Sequence, residues 1–121
     1  MAVSVTINHS DFDYQESSAK TQKEARGTVT FDTSYVTNGE PVDFTSATIM
    51  TGAGGAFTTV NEVLCSNSSA TAANAGFTVE YDLTNKKFFL FEASTAGTPL
   101  DEVTNAQNVS SVIASFMVSG V

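Results

Sequence analysis

The chain has 121 residues, a formal charge of −8 and a single cysteine, Cys65. One domain of this size buries roughly two-thirds of its unfolded surface, and no intrachain disulfide is available to staple it. Five Lys and Arg face thirteen Asp and Glu, so the clustered cations that nucleic-acid binding needs are missing, and an acidic shell is repelled by an anionic membrane surface. Thr, Ser, Val, Phe, Ala and Asn are abundant while Leu, Lys and Arg are scarce. That composition suits pleated, half-buried strands better than helices. The opening MAVSVTINHS lacks the basic residues and apolar core of a signal peptide, and no apolar run is long enough to span a bilayer. Synthesis in the cytoplasm is the expectation.

Ala2 to Asn8 alternates, with Val3, Val5 and Ile7 on one face and Ser4 and Thr6 on the other. Ser10 to Lys20 is polar without a period and reads as a loop or an extended arm. Glu24 to Phe31 is the next strand, burying Val29 and Phe31, and Gly27 within it marks a bulge or a close backbone approach. Asp32 to Pro41 is dense in turn residues, and Asn38-Gly39 favours positive φ. Thr48 to Met50 reads as a short strand, Gly52, Gly54 and Gly55 as a turn, and Ala56 to Leu64 as a further strand. Ser66 to Gly76 consists of small polar residues and reads as a surface loop, with a short helix through its alanines as the alternative.

Gly76 to Ala93 reads as a hairpin turning at Leu83-Thr84-Asn85-Lys86. If Asp82 pairs with Lys87, Tyr81 faces Phe88 and Val79 faces Leu90 on one side. Phe89 and Phe91 then lie on the other, beside Glu80 and Thr78. This second strand is apolar on both faces and needs two covers, one inside the domain and one from elsewhere in the chain or from a neighbour. Ser94 to Pro99 is a loop, and Ser111 to Val118 closes the chain with Val112, Ala114, Phe116 and Val118 facing one way. The pattern predicts an all-β, single-domain antiparallel β-sandwich or barrel. Residues 1–22 form an N-terminal strand plus acidic loop or arm, and residues 23–121 form the body.

Catalytic and metal motifs are weak. His9 is the only histidine and reads as a solvated surface group rather than a general base. Cys65 sits beside Leu64 and reads as a small buried hydrophobe rather than a nucleophile. Asp11, Asp13 and Glu16 make an oxygen-rich segment of the kind Ca²⁺ prefers, but the EF-hand pattern is absent and a solvated acidic loop is the plainer reading. No cofactor fingerprint is present. A non-catalytic protein is the expectation.

Two segments, RGTVTFDTSYVTNGEPVDF (Arg26 to Phe44) and GFTVEYDLTNKKFFLFEA (Gly76 to Ala93), resemble the small head-decoration, or capsid cement, proteins of tailed bacteriophages. The likeness extends over about half the chain and includes a Val/Ala-rich final strand, although Val36 stands where a proline is frequent. The resemblance implies a virion protein on the capsid exterior that bridges copies of the major capsid protein, often as a homotrimer. It implies contact with neither nucleic acid nor membrane and no cofactor. Phe89 and Phe91, or the N-terminal segment with Val3, Val5 and Ile7, are then the expected intersubunit contacts. Two other readings stay open. One is a glycan- or host-surface-binding module using Tyr14 and Tyr35, and the other is a tail-tube or neck subunit.

Overall fold

The computed structural model describes residues 3–15, 21–50, 56–68, 76–92 and 100–121, apart from the side chains of 9–15 and 21–22. Eight strands run in chain order: β1 Ser4–Gln15, β2 Thr21–Thr30, β3 Glu40–Pro41, β4 Val60–Asn67, β5 Phe77–Asp82, β6 Lys87–Glu92, β7 Asp101–Glu102 and β8 Ile113–Gly120. They form two antiparallel sheets, β1-β2-β8-β4 and β3-β6-β5, with β7 also paired to β6. The architecture is a β-sandwich and not a closed barrel. Where β4 and β5 approach, side chains bridge them: the Asn67 amide donates to the Phe77 carbonyl at 3.2 Å and the Cys65 thiol to the Val79 carbonyl at 3.5 Å.

Alternation places the core. Ala25, Val29, Ala114, Phe116 and Val118 from the first sheet meet Val79, Phe88 and Leu90 from the second, all buried. Phe44 sits between the layers, its ring centroid 5.0 Å from that of Phe116, 5.5 Å from Tyr81 and 6.2 Å from Phe88. Tilted and edge-on contacts at these distances suit the ring quadrupoles. Gly27 is a close approach, since a Cβ there would collide with the carbonyl oxygen of Thr6 across the ladder. The β1-β2 register shifts beside it, between Ile7 and His9. The bulge suggested by Gly27 therefore falls on the partner strand.

Three sequence readings are corrected. Ser10 to Gln15 is strand rather than loop: β1 continues to Gln15, pairing with β2 as far as Thr21, past the point where Lys23 meets Gly120 at the end of β8. Ser10 and Asp11 still lie beside the part of β2 that pairs with β8, whereas Tyr14 and Gln15, paired with Gln22 and Thr21, form a two-stranded ribbon that overhangs the sheet. Thr48 to Met50 is a turn, because Asp43 starts a coil there. Its Oδ1 accepts from the Thr45 N–H and hydroxyl, its carbonyl accepts from Ser46 N–H, and Met50 N–H reaches back to the Ser46 carbonyl at 3.0 Å. Local side-chain acceptors of this kind compete with extended pairing. The strand read at Ala56 begins instead at Val60, since Thr58 and Thr59 donate to the carbonyl of Val121. The readings for Gly52 to Gly55, Ser94 to Pro99 and most of Ser66 to Gly76 lie outside the described residues.

Candidate interaction surface

The β5-β6 ladder pairs Asp82 with Lys87, Tyr81 with Phe88 and Val79 with Leu90, the register read from the sequence. Its turn is held by Asp82, whose Oδ1 accepts from the N–H groups of Thr84 and Asn85 while Oδ2 accepts from the Asn85 amide. Lys86 closes it at φ 59°. These hydrogen bonds, those from Asn85 first, hold the Asp82 carboxyl below the usual carboxylate range.

Phe89 and Phe91 lie opposite Glu80 and Thr78 on the outer face of the second sheet. Their rings stack, centroids 6.0 Å apart and planes 16° apart, and both are half-buried. Part of their cover is local. A Cβ on Gly39 would lie 3.0 Å from Phe89 Cε2, so the turn before β3 rests against that ring. Asn38 and Gly39 shape this turn with φ of 75° and 96°.

Beneath it lies a hydrogen-bonded plug. The outer edge of β6 is shared by two short strands: β3 meets it at Lys87 and Phe88, and β7 at Phe91 and Glu92. Leu90 falls in the gap. Its N–H donates to the Tyr35 hydroxyl at 3.2 Å and its carbonyl accepts from Val103 N–H at 2.9 Å. The Tyr35 hydroxyl donates onward to Glu102 Oε1 at 2.9 Å, and that oxygen also accepts Asn38 N–H at 2.7 Å. Tyr35 is fully buried. Burial first, and then the Glu102 carboxylate, push its hydroxyl far above the usual tyrosine value.

Glu40 is the one buried charged side chain among the described residues, 1 % exposed. Its Oε1 accepts the Val36 N–H at 3.1 Å and Oε2 has no partner among the described residues. Burial raises its pKa against the lowering effect of that N–H, and Asp32 raises it further.

Several expected contact residues belong to the interior. Tyr35 is a core plug and is unavailable as an exposed aromatic, because its hydroxyl fills the gap in the β6 edge. Val3 is buried, and Val5 and Ile7 pack against the core. Val3, Val5 and Ile7 thus cover the domain's own interior rather than offering a free apolar face. The side chains of His9, Asp11, Asp13 and Tyr14, and all of Glu16, lie outside the described residues. Cys65 is half-buried, and burial, with Glu80 adding to it, pushes its thiol up to about 11. The sequence reading assigned Glu40 and Glu102 no structural role. A signal existed for Glu40: with Val42 and Phe44 it shares one parity, opposite Pro41 and Asp43, and that parity is buried. Glu102 carried none, because its role depends on a partner 67 residues away.

No protein-family model, curated protein or solved structure matches the chain.

The two motifs that carry the phage-protein resemblance form a single packed unit. Tyr81 of the second donates its hydroxyl to the Val42 carbonyl of the first at 2.7 Å, Phe44 packs tilted against Tyr81 and edge-on to Phe88, and the Tyr35 hydroxyl accepts from Leu90 N–H. Their sequence separation vanishes in the fold. On its outward side this unit presents Phe89 and Phe91.

Proposed function

We propose that this chain is a structural protein of a bacteriophage head, attached to the outer surface of the shell and bridging copies of the major capsid protein. It works without catalysis or cofactor, assembles with itself on the lattice, and contacts neither nucleic acid nor membrane. The observation that carries this reading is the packed unit of Arg26 to Phe44 with Gly76 to Ala93. Its Tyr35, Phe44, Tyr81 and Phe88 serve architecture, and it leaves a stacked phenylalanine pair half-exposed on the second sheet. A half-exposed aromatic pair is the kind of anchor that interface cores are enriched in. A subunit that binds only the assembled shell stabilises it by mass action, and repeated attachment multiplies weak single contacts.

The test mixes the purified protein with undecorated heads of the virion that encodes it and measures co-sedimentation and resistance of the heads to heat. The expected result is saturable decoration, lost in a Phe89→Glu/Phe91→Glu double variant that keeps its β circular-dichroism spectrum. Heads that stay bare with the wild-type protein would refute the function. Heads decorated equally by the double variant would refute the assigned surface.

A further inference from the structure

Glu40 is poorly placed for a carboxylate. It is 1 % exposed, one oxygen accepts a single backbone N–H, and the other has no partner among the described residues. An ionised carboxyl in such a site loses its hydration without replacement, whereas the neutral acid needs far less. The groups around it do not supply the missing charge. On the preceding segment stand Asp32, which is acidic, and the neutral Tyr35, whose hydroxyl is turned to Leu90 and Glu102. On β7 stands Glu102, also acidic. The cation of β6, Lys87, pairs with Pro41 and so takes the opposite parity from Glu40, and the chain's amino group lowers the Glu40 pKa only as the last of its influences. The one favourable contact, from Val36 N–H, fixes the turn whose Gly39 rests on Phe89.

The geometry points to Glu40 as a protonation-dependent latch: its neutral carboxyl holds the 35–40 turn closed over Phe89, and its ionised form releases it. On ionisation the proton passes to solvent. The charge is then relieved by swinging the carboxylate outward, which breaks the Val36 contact and lifts Gly39 from the ring. The Asn38–Glu102 and Thr37–Asn105 contacts stay as hinges on the far side of the turn. The inference stands on the turn alone and holds whether or not the chain sits on a capsid.

The experiment follows the Glu40 side-chain carbon by NMR from about pH 4 to pH 9, together with hydrogen exchange at Val36 and Gly39 corrected for intrinsic rates. The expected result is a loss of protection as pH rises through the Glu40 midpoint, which lies above the ordinary glutamate value of about 4.3, with about a tenfold loss for each pKa unit of that displacement. Glu40→Gln keeps an acceptor for Val36 N–H without the charge and should show flat protection. The latch is overturned if Glu40 titrates at the ordinary value, or if the Gln variant loses protection as the wild type does. If the Gln variant does not fold, the wild-type curves decide: a protection loss with a midpoint different from that of Glu40 also overturns the latch.

Discussion

Replacing Tyr35 by phenylalanine removes one oxygen and leaves the ring, so it isolates the plug. Two groups depend on that oxygen. Glu102 Oε1 loses a donor but keeps Asn38 N–H at 2.7 Å. Leu90 N–H loses its acceptor in a fully buried position that neither β3 nor β7 reaches. A buried donor left unmade costs about 1–3 kcal/mol, so Y35F is expected to lose about 2 kcal/mol. The matched control is Y81F. The Tyr81 hydroxyl donates to the Val42 carbonyl and sits beside an open pocket of about 230 Å³ whose lining includes Asp43, Thr45, Leu83 and Lys86. Water can replace it there, and the loss should stay near the ordinary net value of about 1 kcal/mol or below. In urea titrations the Y35F midpoint should fall by about 1 M with an unchanged slope, as expected for a domain of this size. Losses of equal size in the two variants, or a Y35F midpoint matching the wild type, would refute the plug.

Three further outcomes are expected. Gly39→Ala forces a Cβ into the left-handed region at φ 96° and to 3.0 Å from both Phe89 and Lys87, and should cost about 1–2 kcal/mol by thermal or chemical unfolding. Asp82 has a depressed pKa in the folded state. Its contribution is therefore present above the ordinary aspartate value of about 3.9 and fades as pH falls through the folded one. The Asp82→Asn variant should show a shallower acid-side decline, and parallel curves would contradict this. The Cys65 thiol, pushed from 9.0 to about 11, should hold about a hundredfold less thiolate near neutrality than a free thiol. Alkylation in the folded protein should be correspondingly slow and recover in denaturant.

The parts legible in advance were those with a local cause. Alternation in β2, β5 and β8 named the inward residues, and the turn at Leu83 to Lys86 suggested a pairing of Asp82 with Lys87 that the ladder adopts, with Phe89 and Phe91 on the outer face. Asn38-Gly39 announced its positive φ. What stayed hidden depends on distant partners. Nothing near Tyr35 in sequence says that it completes an edge at Leu90, so an exposed aromatic was as reasonable a reading as a plug. Ser10 to Gln15 lacks the apolar period that marks a half-buried strand, and its far end, Tyr14 and Gln15, runs beyond the reach of β8. Thr48 to Met50 has strand-like residues, yet Asp43 upstream decides its conformation.

The divided edge of β6 also bears on how the molecule behaves in a crowd of its own copies. A long, straight strand margin with unpaired N–H and C=O groups invites a second chain to add to it. Here that margin is broken into two stubs of two residues each, and the residue between them is satisfied by a side chain and by Val103. Along this margin of the second sheet, no long regular edge remains among the described residues for a stranger to pair with. The plug therefore guards colloidal behaviour as well as stability: concentrated Y35F, still folded, should begin to scatter light at protein concentrations where the parent solution stays clear.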